Sequence, residues 1–285
     1  REWTQRFKIG RSTRAHCVRR QRDRAVAETL QRLHEPQPPA CARMAHGRNR
    51  LVAVSNYVRG LLHGRGIRDQ FIETVYNGTD FIDFAPNPIP DLHRSLGIPP
   101  ERKLIGLVGR VCREKGHLDM VDAMQLIVQE YPDSHAIFVG RIEPTFELEL
   151  KSAIEDKRLT DRIALTGLRH DVPRLLDTFD FTAMPSHQET FGVAAIEAMA
   201  RSKPVVASRI GGLPEVVRHR QTGLLVDIRP DSIAEAAAYL LRNDEERFRM
   251  GECGRQIVEE KFTLNRMVDE LESVYFRATQ DRVEK

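Results

Sequence analysis

The chain has 285 residues, of which 41% are hydrophobic and 30% are charged, and its formal net charge at pH 7 is +3. This balance is that of a soluble globular protein with room for one large or two ordinary domains. No apolar run approaches the roughly 18 residues of a membrane-spanning helix, and the N-terminus lacks an apolar signal core, so the composition argues against a transmembrane or secreted protein.

The first 50 residues are strongly basic. They carry 13 Lys and Arg against 4 Asp and Glu, so this stretch has a charge of +9 and residues 51–285 have a charge of −6. A solvated Arg-rich helix is the favoured interpretation, and peripheral contact with anionic lipid at the inner face of a membrane stays open. Nucleic acid is a poor fit, because Trp3 and Phe7 are the only aromatic residues in this stretch.

Cysteine usage indicates the compartment. The four cysteines are far apart and match no metal or redox spacing: Cys17, Cys41, Cys112 and Cys253. Reduced thiols in a cytoplasmic protein are therefore expected. The chain begins with Arg rather than Met, from which we expect a fragment of a longer protein.

The region before residue 104 is a series of short pieces. A break at residues 36–39, which contain three prolines, precedes an apolar run over residues 51–55 and a helix through Leu62. Asn77-Gly78 then marks a turn in a connector. The prolines in residues 84–90 fix φ and remove hydrogen-bond donors, so this segment is predicted to be a surface loop.

From residue 104 onward, short apolar runs alternate with amphipathic stretches, which is typical of a parallel sheet covered by helices. The predicted strands are 104–108, 136–139, 163–166, 181–184, 204–207 and 224–226. The predicted helices are 116–130, 147–156, 172–178, 193–200, 231–243 and 245–260, with a further amphipathic helix over 264–279. This alternation predicts an α/β fold with a doubly wound, Rossmann-like parallel sheet, in which ligands bind beyond the carboxyl ends of the strands.

One informative motif follows the first predicted strand of this sheet. Gly109-Arg110 ends the strand, and Lys115-Gly116 lies five residues later at a helix start. A guanidinium and an ammonium at these positions are suited to bind one phosphate group. Either cation alone would be interpreted as an ordinary surface charge.

A second motif follows the strand at 181–184. Glu189 and Glu197 are eight residues apart, with Thr190, Phe191 and Gly192 leading into a helix at Val193. The first N–H groups of a helix lack intrahelical acceptors and suit a phosphate, whereas two carboxylates beside them suit sugar hydroxyls. The pattern predicts a site for a nucleotide sugar.

Several stretches together resemble one family. The chain is similar to the C-terminal half of a family 4 retaining glycosyltransferase with the GT-B fold. The matching stretches are 52–55 with the following helix, 77–80, 84–86, 108–116, 166–173, 185–197 and 211–226. The ordered series is more specific than any one of its motifs.

The resemblance implies roles for individual residues. Arg110 and Lys115 would neutralise the donor diphosphate, Glu197 would hold the ribose hydroxyls, and Glu189 would contact the transferred sugar. Backbone N–H groups near Phe191, Gly192 and Val193 would face the phosphates, within a donor site that also includes Gly109 and Thr190. Glu189 is the best catalytic candidate, together with Arg110 and Lys115, while covalent and front-face displacement both stay open. The resemblance implies no metal and no cofactor other than the nucleotide sugar as co-substrate.

Two departures from the family pattern stand out. Gly140-Arg141-Ile142 stands where the family often has Gly-Asp-Gly-Pro, and Arg201-Ser202 stands where small residues and Gly are usual. The second departure is interpreted as surface variation. In addition, residues 1–50 show no pattern comparable to the N-terminal acceptor domain of the family.

The remaining polar residues have ordinary explanations. His187 is expected to be a solvated loop residue, and His117 either begins a helix or reaches the phosphates. Glu215 follows Pro214 at a helix start, where a carboxylate suits the helix dipole. Gly211 and Gly212 either allow a close backbone approach or form a simple turn.

The domain prediction has three parts: residues 1–75 as a remnant of the N-terminal domain and interdomain segment, 76–262 as the nucleotide-sugar-binding domain, and 263–285 as a crossing helix. The predicted activity is sugar transfer, with retention, from a nucleoside diphosphate sugar to a saccharide, lipid or small-molecule acceptor of the cell envelope. A non-catalytic nucleotide-sugar-binding fragment is the alternative from another class, and a GT-B phosphorylase or epimerase is a third hypothesis.

Overall fold

The computed structural model describes residues 50–280. The Arg-rich helix and the proline break predicted for the N-terminal segment lie outside the described residues.

A six-stranded parallel sheet forms the centre of the structure, as the sequence predicts. Its strands are β3 (Lys103–Val108), β4 (Ser134–Val139), β5 (Ile163–Gly167), β6 (Phe181–Met184), β7 (Val205–Ser208) and β8 (Gly223–Val226). They lie in the order β5-β4-β3-β6-β7-β8. This is the order of a doubly wound Rossmann-like sheet, which confirms the predicted fold class.

Helices cover both faces of this sheet. Before it lie α1 (Asn56–Gly64) and α2 (Leu92–Ser95). The helices that connect its strands are α3 (His117–Glu130), α4 (Pro144–Asp156), α5 (Val172–Thr178), α6 (Val193–Ala200) and α7 (Leu213–Val216). The helices that follow the last strand are α8 (Pro230–Arg242), α9 (Asp244–Lys261) and α10 (Leu264–Gln280). Every helix predicted from residue 116 onward is present, with shifts of one to three residues at some ends. Between residues 50 and 280, none of these helices combines the length and the apolar character needed to cross a bilayer.

Strand β4 shows how the sequence produces a core on each face. All six of its residues are buried. Because successive side chains of a strand point to opposite faces, Ala136 and Phe138 enter one hydrophobic cluster and Ile137 and Val139 enter the other. Fully burying a side chain of this size stabilises the fold by about 1.5–3 kcal/mol. A continuous apolar strand therefore requires helices on both sides, as in other parallel sheets.

A small parallel pair of strands precedes the main sheet. Strand β1 (Leu51–Ala53) pairs with β2 (Ile72–Thr74), and α1 lies between them in the chain. Ala53, Val58 and Ile72 form the core of this unit. The sequence predicts β1 and α1 but not β2, because three residues are too few to show a strand periodicity.

The connector after β2 is joined to the start of α10. The Thr79 N–H donates to the Phe262 carbonyl at 2.9 Å, and the Leu264 N–H donates to the Thr79 carbonyl at 3.1 Å. Helix α10 then packs Met267 and Val274 against Val75. We call this junction the 79–263 seam, after the bridged residues Thr79 and Thr263. The chain runs from the small unit to the sheet past Thr79 and returns to the small unit past Thr263, so the two connections lie side by side.

The interpretation of Arg201 as surface variation is wrong. Its side chain is 1% exposed and forms a two-pronged ion pair with Asp177, with both N···O distances at 2.7 Å. The same guanidinium donates to the carbonyls of Phe81 and Phe84 at 2.8 and 2.5 Å. Arg201 thus fixes the start of the proline-rich loop, which is exposed as predicted, against the domain. The sequence alone does not show whether the side chain of a basic residue is solvated or bonded to buried carbonyls.

Ser202 adopts a left-handed backbone conformation, with φ of 54°. Non-glycine residues in this region cost about 1–2 kcal/mol because Cβ approaches the following carbonyl oxygen. The glycine that is usual in the family at this position would avoid that cost.

Candidate functional site

The two predicted motifs meet at the centre of the sheet. Strands β3 and β6 are neighbours, with β4 and β5 on one side and β7 and β8 on the other. This is the topological switch point, where an open α/β sheet forms a crevice beyond the carboxyl ends of its strands. The loop after β3 spans residues 109–116, and the loop after β6 spans residues 185–192. Both loops therefore start side by side at the crevice.

These two loops are in direct contact. The His187 N–H donates to the Glu114 carbonyl at 2.8 Å. Gly116 has a φ of 72°, and a Cβ at this position would lie 1.9 Å from the Pro185 carbonyl oxygen. Glycine is required here for both its conformation and its size. The close approach brings Lys115 to the loop that carries Glu189.

Lys115 and Glu189 form an ion pair across the crevice. Lys115 Nζ lies 2.6 Å from Glu189 Oε2, and the two side chains are 28% and 13% exposed. The other carboxylate oxygen accepts the N–H groups of Thr190 at 3.1 Å and Phe191 at 3.4 Å. The Glu189 carboxylate is therefore oriented by N–H groups of its own loop. The Lys115 ammonium and this carboxylate lie in direct contact at the crevice.

Helix α6 begins directly after this pair. Gly192, with a φ of 106°, precedes the first helical residue, Val193. The first backbone bonds return from Ala195 and Ile196 to the Gly192 carbonyl, so the N–H groups before Ala195 have no intrahelical acceptor. The ring of Phe191 is buried and packs against Tyr76 and Phe262, with centroids 5.8 and 5.6 Å away. The helix start is thus fixed by the core and adds partial positive charge at the crevice.

Arg110 lies in the loop after β3, and Glu197 lies in helix α6. The Gly109 N–H donates to the Val139 carbonyl at 2.9 Å, so Arg110 is the first residue beyond the β3–β4 ladder, and it is exposed. A backbone hydrogen bond and the Cys112 thiol lower the pKa of Glu114, and the charge of Arg110 acts in the same direction. Glu197 is half-buried in the second turn of α6, where the sequence predicts it. The proposed contacts of both residues with a donor stay predictions.

The two histidines near the motifs have different environments. His117 is 2% exposed, its Nδ1 lies 3.0 Å from the Cys112 carbonyl oxygen, and its ring packs edge-on against Phe138. Burial lowers the pKa of His117 to about 4, so it is a neutral core residue at pH 7 rather than a phosphate ligand. His187 is exposed, as expected, with Nε2 2.7 Å from Asp119.

Sequence reasoning missed a set of contacts around Glu215. Its carboxylate accepts the N–H groups of Asn56 and Tyr57, both at 2.8 Å, and the Tyr76 hydroxyl at 3.0 Å. Ser55, which caps α1, also donates its hydroxyl to the Thr190 carbonyl at 2.6 Å. Glu215 and Thr190 are each more than 130 residues away in the chain from the residues that donate to them. No local sequence pattern reveals such contacts.

One group of side chains in the described part of the chain has the proximity of metal ligands. The ligand atoms of Cys112, Glu114 and Glu143 lie within 4.8 Å of one another. Burial, followed by a hydrogen bond with Glu114, raises the pKa of the Cys112 thiol. Cys112 and Glu114 are hydrogen-bonded to each other in this structure, and we propose no metal for this group.

A second cavity lies at the opposite edge of the sheet. It has a volume of about 350 Å³ and is lined by Arg102, His135 and Asp161, among others, near the amino ends of β3, β4 and β5. Arg102 is already paired with the Asp161 carbonyl and lies beside its carboxylate. This position is far from the switch point, and the cavity is distinct from the crevice that holds Lys115 and Glu189.

Comparisons with known proteins agree with this architecture. Residues 88–257 match the family described as "Glycosyl transferases group 1". The chain is 29% identical over 232 residues to N-acetyl-alpha-D-glucosaminyl L-malate synthase of Bacillus anthracis, covering 81% of this chain and 60% of the relative. It is 35% identical over 198 residues to D-inositol 3-phosphate glycosyltransferase of Corynebacterium urealyticum, covering 65% of this chain and 46% of the relative. The chain thus spans about half the length of these relatives.

A solved structure shows the same fold. Anabaena HepE in complex with UDP and glucose superposes with a TM-score of 0.74 at 26% identity, over 80% of this chain and 62% of HepE. Such neighbours are GT-B enzymes, as the resemblance in the sequence implies. The ordered motifs, the sheet order and a family match over more than half of the chain lead to one conclusion. The chain belongs to the group 1 family of glycosyl transferases.

Proposed function

We propose that this chain is the donor-binding part of a glycosyltransferase, which moves a sugar from a nucleoside diphosphate sugar to a saccharide, lipid or small-molecule acceptor. The observation that carries the proposal is the Lys115–Glu189 pair at the switch point, directly before the start of α6. A cation, a carboxylate and free helix N–H groups at one place match the diphosphate and hydroxyl groups of a nucleotide sugar.

The cations would act on the leaving group. When the bond between the sugar and the diphosphate breaks, negative charge grows on the departing phosphate oxygen. Lys115 and Arg110, together with the N–H groups near Phe191, Gly192 and Val193, would stabilise that charge more strongly than the ground state. Fixed cations supply this stabilisation without a metal ion, so we propose a metal-independent reaction.

The carboxylates would hold the sugars. Glu189 would accept a hydroxyl of the transferred sugar, and Glu197 would accept the ribose hydroxyls from the second turn of α6. Thr190 and Gly109 complete the proposed donor site, as the family resemblance implies. Retention of the anomeric configuration belongs to this proposal, and both covalent and front-face displacement are compatible with Glu189 at this point.

Neighbours support a nucleotide-sugar donor. HepE is described in complex with UDP and with UDP-glucose, and a relative from Rhizobium meliloti, 33% identical over 175 residues, is described as a lipopolysaccharide core biosynthesis mannosyltransferase. We therefore propose UDP sugars as the first donors to test and an envelope saccharide or lipid as the acceptor class. A cytoplasmic location, with peripheral contact at the inner membrane face through the basic first 50 residues, belongs to the same proposal.

Two alternatives lead to different results. A nucleotide-sugar-binding fragment that lacks its acceptor domain would bind donors without transfer or hydrolysis. A GT-B phosphorylase or epimerase would turn over sugar phosphates without transferring a sugar from a nucleotide donor to an acceptor. The spacing of Glu189 and Glu197 disfavours the phosphorylase or epimerase.

Titration calorimetry with UDP, GDP and ADP, followed by donor hydrolysis assays, tests the proposal. We expect one nucleoside diphosphate to bind in EDTA as well as in its absence, and Lys115→Ala to weaken that binding. Loss of one charge-assisted hydrogen bond costs about 1.5–3 kcal/mol, which corresponds to about 10-fold to 150-fold in Kd. Failure of all three nucleotides to bind, or equal binding by Lys115→Ala, would refute the proposed site.

A further inference from the structure

The loop that carries Glu189 is held by hydrogen bonds from two residues that lie outside the crevice. The Glu189 carbonyl accepts the Gly212 N–H at 3.1 Å, and the Thr190 carbonyl accepts the Ser55 hydroxyl at 2.6 Å. The Thr190 N–H also donates to the Glu189 carboxylate. The two residues that are held through their carbonyls are therefore the residue that carries this carboxylate and a residue that orients it. The position of the carboxylate therefore depends on Ser55 and on the turn at Gly212.

The turn leaves no room for side chains. A Cβ at Gly211 would lie 1.8 Å from the Glu189 carbonyl oxygen, and a Cβ at Gly212 would lie 2.3 Å from the Thr190 carbonyl oxygen. The two glycines thus allow the close backbone approach, rather than only a simple turn. Glu215 follows three residues later, so its place is fixed by the same contact.

Glu215 joins this turn to the start of α1. Its two carboxylate oxygens accept the N–H groups of Asn56 and Tyr57, which begin the nine-residue helix. A carboxylate at a helix N-terminus satisfies unpaired N–H groups and interacts favourably with the helix dipole. The Tyr76 hydroxyl adds a third bond to the same carboxylate.

The Tyr76 hydroxyl remains a donor at any physiological pH. Burial, with the Glu215 carboxylate beside it, raises the pKa of Tyr76 to about 12. The ring of Tyr76 packs on Phe191, which follows Thr190. Tyr76 thus contacts the Glu189 loop through its ring and Glu215 through its hydroxyl.

Together these contacts join α1 to the Glu189 loop in two ways, directly through Ser55 and indirectly through Glu215 and Tyr76. We propose that Ser55 and Glu215, which we call the α1 clamp, are positioning residues that set the place of Glu189 in the donor site. This inference rests on the proposed function for the role of Glu189, but not for the geometry of the clamp. Its consequence is that a displacement of α1 moves the carboxylate that would contact the transferred sugar.

Amide hydrogen exchange on the full chain tests the clamp directly. Ser55→Ala removes the bond to Thr190. Glu215→Gln weakens the other side of the clamp, because it keeps one oxygen acceptor and replaces the other with a donor. Each variant is expected to raise exchange at Thr190 and Phe191 by about tenfold, the size of one capping interaction, with α3 unchanged. Glu147→Gln, which removes a carboxylate from the exposed pair with Lys151, is the matched control.

A binding measurement distinguishes positioning from a local structural role. The ratio of UDP-glucose to UDP affinity reports the contact with the sugar, and we expect both clamp variants to lower it by at least threefold while Glu147→Gln leaves it unchanged. GDP-mannose and GDP replace these probes if uridine nucleotides do not bind.

Two results would overturn the clamp: faster exchange that is confined to residues 56–64, or an unchanged affinity ratio in both clamp variants. Failure of the unaltered chain to bind any of these nucleotides would refute the proposed function instead. In that event the exchange rates at Thr190 and Phe191 alone decide whether Ser55 and Glu215 hold the loop.

Discussion

Replacing Glu189 by Gln should strengthen the binding of a nucleoside diphosphate. In the free protein, Glu189 Oε2 neutralises Lys115 at 2.6 Å. A phosphate that binds Lys115 must therefore approach a carboxylate that already holds it. Gln retains an oxygen for the N–H groups of Thr190 and Phe191, so the loop is expected to keep its shape while the charge disappears.

The size of the effect follows from the geometry. A phosphate oxygen about 2.8 Å from Lys115 Nζ lies within about 5.4 Å of Glu189 Oε2, because the ion pair itself spans 2.6 Å. Two unit charges at that distance repel by about 0.8 kcal/mol in water and about 3 kcal/mol at an effective dielectric constant of about 20. Both side chains are partly exposed, so we take about 1 kcal/mol, or about fivefold in Kd.

Calorimetry with UDP and UDP-glucose at low salt provides the assay. We expect Glu189→Gln to bind UDP about fivefold more tightly, with a gain that shrinks at about 0.5 M salt. The sugar should lose its charged acceptor, so UDP-glucose gains less than UDP. Glu147→Gln makes the same change in net charge on an exposed Lys–Glu pair and should alter neither value. Weaker or unchanged UDP binding by Glu189→Gln would refute the shared use of Lys115.

Three further changes test the fold around the site. Arg201→Met should lower the free energy of unfolding in urea by about 3–5 kcal/mol, because it leaves the Asp177 carboxylate, 7% exposed, without its cation. Adding Asp177→Leu should recover only part of the loss, because the Phe81 and Phe84 carbonyls stay without a donor; a loss below about 1 kcal/mol in Arg201→Met would contradict the buried pair. Ser202→Gly should stabilise the protein by about 0.8 kcal/mol, since relief of the left-handed conformation, about 1.5 kcal/mol, exceeds the added flexibility of the unfolded chain, about 0.7 kcal/mol; a lower thermal midpoint would contradict this. Burial lowers the pKa of His117 from 6.5 to about 4, so the unfolded chain binds a proton more readily than the folded protein. The free energy of unfolding should therefore fall by up to about 3 kcal/mol as the pH falls from about 6.5 through 4. His117→Asn should reduce that loss in urea titrations at several pH values, and equal pH slopes would contradict a neutral buried imidazole.

Much of the fold is predictable from the sequence because its signals are local. The strands of the sheet are short apolar runs, and α6 begins at the predicted residue because Gly192 precedes a run of small helix-forming residues. The convergence of the loops that carry Lys115 and Glu189 also follows, since parallel strands place their carboxyl ends at one edge. The pattern thus predicts which loops converge, although it does not predict the ion pair between them.

The remaining features depend on partners that are distant in the chain. Arg201 resembles a surface residue in the sequence because nothing near it shows that Phe81 and Phe84 offer their carbonyls. Glu215 fits the first turn of its own short helix, yet its carboxylate caps a different helix. Side chains with several ordinary explanations can be assigned only when their three-dimensional neighbours are known.

The 79–263 seam places both passages of the chain between the small unit and the sheet within one β-bridge. Arg277 of α10 pairs with Glu73 of β2 at 3.3 Å, so the last helix contacts the small unit beyond the seam. A rotation of that unit about Thr79 and Thr263 would also have to break the bond from Ser55 to the Thr190 carbonyl and the bonds from Asn56 and Tyr57 to Glu215. The small unit is thus joined to the sheet domain at two separate places, the seam and the Glu189 loop.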